Sequence, residues 1–507
     1  MHSRQRMSIF RKRWVVVVIG ILAALLALVA FAAYLLYPAF KVPSPPGFEP
    51  PATPEEARKQ DLAYLQTALR EVDRSFSAEE WRNFDQQVAA LLAQAGTLDA
   101  ATFEMGVARA VAAADNGHTN LLGAAWGLTL DSIPLRFYWF AEGLFTVKAA
   151  PEHADLLGAR VRTIAGRTPE ELVRSFRSFV GGNAALAREL SIHLMESPGA
   201  LRAIGVQSST SSVELALETL TGDLVERTVE AVPTPVSGPP PESTEQTRTF
   251  DPRELYWPRR DASPVPLPIE APYPQPTADG RPWVHVLDGR DAALGLPLSL
   301  QRPNHFYWAT DLSGSGLFVQ INVTFDQPGR ESLPAFLDAT LEQASTRRPR
   351  FAIVDLRGNP GGSYQATARF TRVLPTLLPA DGKLFILTSG NTFSAGIVTA
   401  ARLRHFSGDR GEIVGEPMGD TPQFWAEAAT RIVLPGSGLR IGYATGYHDW
   451  ENGCSLGQLL RCYLPNYFLG VAAGPLDPTI PVSWSFADYL EGRDTVVERA
   501  LGMVAVE

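Results

Sequence analysis

The first apolar run of the chain, residues 14–40, contains no charged residue and follows five Arg and Lys side chains. A helix needs about 20 apolar residues to cross the hydrocarbon core of a membrane. The basic residues favour a cytoplasmic position for residues 1–13 and an external position for everything after residue 41. The run therefore predicts a transmembrane anchor. A cleaved signal peptide is the alternative, because "AFA" at 30–32 is a possible cleavage site.

A proline-rich stretch and a helical segment follow the apolar run. Residues 41–54 are rich in proline, which favours an extended linker over a packed element. Over 55–125, apolar residues recur three and four positions apart, as in "DLAYLQTALREV", and predict an N-terminal helical domain. Within it, Thr97 and Asp99 precede a run of good helix formers and predict the start of a helix.

Between residues 126 and 232 the pattern shortens to the period of strands. "SIPLRFYWF" and "GLFTVKAA" predict strands, and "RVRTIAGRTPEEL" predicts a strand, a glycine turn and a helix. Thr168 and Glu171 have the spacing of a capping box at the start of that helix. The next segment, 233–282, holds too many prolines for helices or strands, and we interpret it as an extended insertion or linker.

Strand and helix patterns alternate in the last segment, 283–507. The apolar stretches "GLFVQINVTF", "RFAIVDLR" and "KLFILTS" predict strands, and helical stretches separate them. Such alternation is typical of helices packed on a sheet. We therefore expect an α/β core in this part of the chain.

Composition restricts the possible functions. A chain of 507 residues is long enough for two or three domains. Its formal net charge is -9, with no basic cluster after the N-terminus, so nucleic acid is not an expected partner. Cys454 and Cys462 are the only cysteines and could close a small loop in an oxidising compartment. They lack the further ligands that a metal site needs, and we expect neither a metal nor a cofactor.

Two loops that follow predicted strands carry the candidate chemistry. "GNPGG" at 358–362 follows one buried strand, and adjacent glycines let backbone N–H groups approach an oxyanion. "TSGNTFSAG" follows the next strand and places Ser394 at the start of a helix, where the N–H of Ala395 has no intrahelical partner. Because both loops lie at the same edge of the predicted sheet, we expect a nucleophile beside an oxyanion site. A simple turn and a serine N-cap are the alternatives.

The motifs "VDLRGNPGG", "GNTFSAG" and "VGEPMGD" resemble those of the serine peptidases that include the tail-specific C-terminal processing proteases and the tricorn protease core. The resemblance covers most of residues 55–507. It implies a ClpP/crotonase-like α/β catalytic core over 283–507 and a PDZ-like domain over 126–232. It also implies that a peptide or protein is the substrate.

The resemblance implies particular roles for the residues of the two loops. Ser394 matches the nucleophile of the family, and Ala395, Gly361 and Gly362 match its oxyanion hole. The processing proteases use a lysine base in a stretch that reads "GEPMGD" here, and no lysine follows Lys383 in this chain. A base of another kind is therefore required.

A histidine matches the base of the tricorn-like branch. His118 in "DNGHTNLL" lies at the corresponding place, and an imidazole titrates near neutral pH, as a general base should. A histidine interacting with the C-terminal end of a helix is the other interpretation. The same branch implies that Glu451 orients His118 through a second hydroxyl. Gly117 stands where tricorn has a serine, so this relay must differ.

A second serine motif leads to a different hypothesis, which chain order rejects. "GCSLG" at 453–457 matches the nucleophile elbow of α/β-hydrolases, with Ser455 as nucleophile. Those enzymes place their histidine last, whereas His448, the last histidine here, precedes the motif. We therefore expect a single-pass cell-membrane serine peptidase acting outside the cytoplasm. The alternatives are an inactive peptide-binding protein of the same fold and an adaptor built on the proline-rich insertion.

Overall fold

The structure is a computed structural model that describes residues 2–121, 130–232, 283–288, 294–303, 305–327, 329–428, 430–458 and 461–504. The expected insertion over 233–282 lies entirely outside the described residues. The α-helices in the described residues are α1 (His2–Phe40), α2 (Pro54–Val72), α3 (Ala78–Gln94), α4 (Ala100–Val111), α5 (Pro169–Phe176), α6 (Ala184–Met195), α7 (Pro198–Ala203), α8 (Leu333–Arg347), α9 (Ala368–Leu377), α10 (Ala395–Ser407), α11 (Phe486–Leu490) and α12 (Thr495–Val504).

The strands form two large sheets and two small hairpins. In chain order they are β1 (Leu135–Phe140), β2 (Gly143–Ala149), β3 (Arg160–Ile164), β4 (Ser212–Glu218), β5 (Leu224–Glu230), β6 (Val284–His285), β7 (Tyr307–Leu312), β8 (Gly316–Ile321), β9 (Phe351–Asp355), β10 (Leu384–Thr388), β11 (Gly411–Gly415), β12 (Gln423–Ala426), β13 (Ile432–Val433), β14 (Arg440–Ile441), β15 (Gly446–Asp449) and β16 (Ile480–Pro481).

Helix α1 carries the apolar run. Its segment Val17–Phe40 has a mean hydropathy of 2.7, and none of it is buried against the rest of the protein. Among the described helices it alone is long and apolar enough to cross a membrane. A signal sequence near the N-terminus has the same properties, so both interpretations of the run fit this helix.

The segment after α1 is extended, as predicted, yet it is packed on the protein. Residues 41–53 contain no helix or strand, and Pro43 is buried. The ammonium of Lys41 donates a hydrogen bond to the carbonyl of Glu71 at 2.9 Å. The hydroxyl of Tyr443 donates one to the carbonyl of Lys41, also at 2.9 Å. The linker is therefore extended, as expected, but its first residues are packed against α2 and Tyr443.

Helices α2–α4 share a hydrophobic core with the first sheet. This sheet has the order β1-β2-β3-β4-β5, with β6 paired to β2, and all its pairs are antiparallel. Leu65 and Phe84 from the helices and Phe137 and Val161 from the strands belong to one buried cluster. The side chain of Asp99 caps α4, as predicted, whereas Thr97 lies outside that cap. The predicted capping box at the start of α5 is confirmed.

The second sheet confirms the predicted α/β class. Its order is β16-β11-β10-β9-β8-β7, with parallel pairs from β16 to β8 and an antiparallel β7 at the edge. All residues of β8, β9 and β10 are buried, as near-continuous apolar stretches predict for strands covered on both faces. Because β9 and β10 are parallel neighbours, the loops that follow them start at the same edge of the sheet.

A two-stranded sheet that the sequence did not predict follows β11 in the chain. Strand β12 pairs with β15 and places Phe424 opposite His448. All four residues of β15 are buried, although "YHDWEN" shows no alternation of apolar and polar residues. Cys454 and Cys462 form a disulfide shortly after β15.

Candidate active site

Ser394 stands between the loop after β10 and helix α10, in a conformation that is rare for a residue with a side chain. Its φ is 52° and its ψ is -119°. It makes no capping hydrogen bond, whereas Ser332 at the start of α8 accepts one from its helix. Hydrogen bonds on both sides of the strained peptide hold it, from the Phe393 N–H to the Asn359 carbonyl at 2.9 Å and from the Gly396 N–H to the Phe393 carbonyl at 2.8 Å. Ser394 is therefore no ordinary N-cap.

The glycine turn after β9 touches Ser394. Gly361 and Gly362 have φ angles of 122° and 130°, which residues with a side chain rarely adopt. A Cβ on Gly361 would lie 2.7 Å from the Cβ and 3.1 Å from the Oγ of Ser394. A Cβ on Gly362 would lie 2.7 Å from the carbonyl oxygen of Thr324. Both positions therefore need glycine, the first because the serine approaches it and the second because a neighbouring strand end does.

Some N–H groups of the glycine turn donate hydrogen bonds within the protein, and others do not. The N–H of Gly361 donates to Oδ1 of Asn359 at 2.9 Å, so the expectation that Gly361 is an oxyanion donor needs correction. Thr324 bridges the turn by donating to the Gly361 carbonyl and accepting from Ser363. Within the described part of the chain, the N–H groups of Gly362 and Ala395 donate to no acceptor. Two donors of this kind beside a serine have the composition of an oxyanion hole.

His118 lies against the residue that precedes Ser394. Its ring stacks on that of Phe393, with centroids 4.4 Å apart and planes at 27°, and on that of Phe424, at 5.3 Å and 14°. The side chain as a whole is partly exposed, but both ring nitrogens are buried and have no hydrogen-bond partner among the described residues. Buried polar atoms are normally paired, so the imidazole is available for a partner that the free protein lacks.

The surroundings of His118 disfavour its charged form. Burial, followed by the positive charges of His448 and Arg431, lowers its pKa to about 3. This value lies well below that of free imidazole, because burial removes water from the ring nitrogens. The imidazole is neutral at pH 7, which is the state that a proton acceptor requires, but so low a pKa also makes it a weaker base than one that titrates near pH 7.

Neither Glu451, the acidic residue of the predicted relay, nor the neighbouring Asp449 reaches His118. The carboxylate of Glu451 accepts a hydrogen bond from the side chain of Gln423. Asp449 accepts one from the N–H of Asn452 at 2.9 Å. Since neither His118 nitrogen has a partner among the described residues, the predicted orientation of His118 by Glu451 is not formed in this structure.

A second buried histidine lies near the site and was missed by the sequence reasoning. Nε2 of His448 is 3.1 Å from Oε1 of Glu427, an ion-pair distance without hydrogen-bond geometry. Asn466 donates from Nδ2 to Nδ1 of His448 at 2.9 Å, and Tyr364 donates to Oδ1 of the same amide at 3.5 Å. The ring of His448 stacks on Phe424 at 5.0 Å. A histidine inside an aromatic stretch was the signal, but its partners lie elsewhere in the sequence.

An arginine joins the glycine turn to the C-terminal helix. Arg357, just before the turn, contacts Asp355 at 2.6 Å and Asp494 at 2.8 Å. Asp494 immediately precedes α12 and also accepts a hydrogen bond from Ser299 at 2.8 Å. Because these charges are almost fully buried, their pairing orients the start of the turn. In the described ranges, no cluster of His, Cys, Asp and Glu could hold a metal ion.

Comparison with known proteins gives a fold. No protein-family model and no curated protein sequence matches the chain. Mature CPAF complexed with lactacystin matches with a TM-score of 0.52 and 12% identity, over 89% of this chain and 97% of that chain. Mature CPAF alone matches with a TM-score of 0.51 and 13% identity, over 89% and 96%. The photosystem II D1 C-terminal processing protease covers 87% of this chain and 97% of its own, at 13% identity and a TM-score of only 0.34.

The similarity to CPAF defines the class of fold to which the chain belongs. CPAF is a serine peptidase, and the chain shares its mixed α/β fold over nearly the whole length of both proteins. A sequence identity of 12% establishes the fold and leaves the activity to the site itself.

Proposed function

We propose that the protein is a serine-type peptidase whose nucleophile is Ser394. The strained backbone of this residue carries the proposal, because a serine that served only as a cap would adopt an extended conformation and bond to its helix. Instead the hydroxyl has no hydrogen-bond partner among the described residues, and it lies against the turn of Gly361 and Gly362 at the start of α10. The fold shared with CPAF supports the same reaction class.

In the proposed mechanism, His118 accepts the hydroxyl proton as Oγ of Ser394 bonds to the carbonyl carbon of a peptide. The carbonyl π electrons move to the oxygen, and the N–H groups of Gly362 and Ala395 stabilise the resulting negative charge. Collapse of this intermediate breaks the C–N bond, and His118 returns its proton to the leaving amine. Water then hydrolyses the acyl-enzyme by the same two proton transfers. Ser394 and His118 share no hydrogen bond in the free protein, and such bonds commonly form only with substrate.

The position of Lys383 argues against a lysine base. Lys383 directly precedes β10, whereas Ser394 follows that strand. The two residues therefore lie at opposite ends of the strand. Its ammonium lies 3.7 Å from the carboxylate of Glu412. A histidine base, as in the tricorn-like branch, remains the better proposal.

The proposal includes the arrangement of the chain. Residues 283–507 would form the ClpP/crotonase-like catalytic core, 126–232 the PDZ-like domain and 55–125 the helical domain that carries His118. Helix α1 would anchor the protein in the cell membrane, with the catalytic region outside the cytoplasm. The disulfide near the C-terminus supports this location, since such bonds persist in oxidising compartments.

A fluorophosphonate probe tests the proposal, because it reacts covalently with activated serines. We expect the probe to label the wild-type protein and Ser455→Ala but not Ser394→Ala. Ser394→Ala should keep the thermal unfolding midpoint of the wild type within a few degrees, because no capping bond is lost. Absence of labelling in a folded wild-type protein would instead favour an inactive peptide-binding protein of this fold.

A further inference from the structure

We propose that the rings of Phe393 and Phe424 position His118 for proton transfer, taking over the task that a carboxylate or hydroxyl partner would perform. The inference rests on the proposed function, in which His118 is the base. Phe393 and Phe424 are positioning residues, since they act through the imidazole and not on the substrate.

The contacts of His118 leave few other ways to fix its ring. Neither ring nitrogen has a hydrogen-bond partner in the described residues. The two phenyl rings lie nearly parallel to the imidazole, at 27° and 14°. Stacking restricts the tilt of a ring, whereas it does not block its edge. The edge carries the nitrogens, so stacking itself does not prevent a hydrogen bond to either of them.

The surroundings of Gly117 leave no room for a serine side chain that could bond to His118. A Cβ on Gly117 would lie 2.7 Å from Cε2 of Phe393 and 3.0 Å from Cδ2 of Leu186. The ring of Phe393 therefore fills the space into which a serine side chain at position 117 would project. The sequence departs from the tricorn pattern by having Gly117 in place of a serine. At this position the ring of Phe393 contacts His118 instead.

Phe393 also joins the base to the nucleophile. It immediately precedes Ser394, and its N–H and carbonyl are both held by hydrogen bonds, at 2.9 and 2.8 Å. Its ring packs against the core of the helical and antiparallel part and against the core of the α/β part. Because one residue contacts the imidazole and fixes the strained peptide, any shift of His118 along the ring of Phe393 changes its distance from Ser394.

Phe424 supports the imidazole from strand β12. It is 4% exposed and pairs in register with His448, whose ring also stacks on it at 9°. The faces of phenyl rings attract cations, so both rings favour the imidazolium that forms when Ser394 attacks. The guanidinium of Arg431 opposes this effect, and the other titratable groups near the imidazole are His448 and Glu427, whose Nε2 and Oε1 atoms lie 3.1 Å apart.

The test compares Phe393→Leu and Phe424→Leu with Phe406→Leu in the full chain in detergent. Phe406 also contacts a histidine ring, that of His405, with centroids 4.9 Å apart, but it lies at the far end of α10. A stacked aromatic pair is worth about 0.5–1.5 kcal/mol, so each site variant should slow fluorophosphonate labelling about 2- to 10-fold. The control should label at the wild-type rate.

Nuclear magnetic resonance of ring-labelled histidine supplies a readout besides activity. Stacking on a phenyl face shifts ring protons upfield, so the His118 signals, assigned by their loss in His118→Ala, should move downfield in both site variants. Unchanged signals together with control-like labelling in Phe393→Leu and Phe424→Leu would overturn the inference. If the wild-type protein is not labelled at all, the proposed function fails, and the signals alone then decide whether the rings hold His118.

A second pair of variants covers the case in which a leucine variant does not fold. Gly117→Ala should slow labelling because its methyl group pushes Phe393 out of place. In a protein that already carries Phe393→Ala there is no phenyl ring for the added methyl group to displace. The labelling rate of the double variant should therefore be higher than the product of the two single-variant effects predicts. Multiplicative effects would show that position 117 and Phe393 act independently and would contradict the inference.

Discussion

Replacement of Gly361 by alanine perturbs the proposed nucleophile with a single methyl group. In the present geometry that methyl carbon would lie 2.7 Å from Cβ of Ser394, whereas carbon atoms in contact normally stay about 3.5–4.0 Å apart. One of the two residues must move by roughly 1 Å, and a misplacement of about 1 Å can cost about 100-fold in rate. We therefore expect Gly361→Ala to lower both kcat/KM and the rate of fluorophosphonate labelling by about two orders of magnitude.

Stability distinguishes this effect from unfolding. The φ of 122° at Gly361 strains any side chain by about 1–3 kcal/mol, which lowers the unfolding midpoint by several degrees at most. Gly205→Ala is the matched control, since its φ is 74° and no atom lies within 4 Å of the added Cβ. That variant should lose stability and keep its activity. Wild-type labelling of a folded Gly361→Ala protein would refute the assignment of Ser394 as a nucleophile in contact with the turn.

Three further predictions follow from the site and from the N-terminal segment. His118→Ala should lower kcat/KM by orders of magnitude, whereas Lys383→Ala should change it little; the opposite result would favour a lysine base. Because protonated His118 cannot accept a proton, activity is lost as pH falls through its pKa of about 3. The acid limb of kcat/KM should therefore lie well below pH 6.5, and a limb between about pH 6 and 7 would show that the imidazole is not desolvated. Deletion of residues 2–40 should yield a soluble, active protein. Further deletion of 41–53 should lower the unfolding midpoint of that protein, because the contacts of Lys41 are lost. Equal midpoints for the two deletion variants would contradict the packing of this segment.

Local patterns in the sequence were sufficient to predict the α/β core and the convergence of its two loops. The apolar stretches around Phe351 and Leu384 predict buried strands because each is long, continuous and bounded by turn residues. The glycines at 361 and 362 and the serine at 394 are predictable for the same reason, since backbone approach and helix starts depend on neighbours in the chain.

Contacts between distant segments could not be predicted in this way. Phe424 and His448 meet in a two-stranded sheet whose strands are four residues long and show no alternation of apolar and polar residues, so no periodic signal identified them. Glu427 and Asn466 reach His448 from separate segments. The depressed pKa of His118 depends on burial and on charges brought close by the fold, which the reference value of an isolated imidazole does not contain.

The stack of Phe393 on His118 also bears on when during synthesis the protein could become active. The histidine belongs to the helical region near the N-terminus, whereas the phenylalanine and the serine come from a strand-helix junction 275 and 276 positions later. Contacts between such distant positions form only after both regions have been made and have packed together. A ribosome-bound chain that ends before β10 thus has its proposed base but no nucleophile. The proposed peptidase would therefore stay inactive until the segment that carries Ser394 had been made and had packed on the helical region.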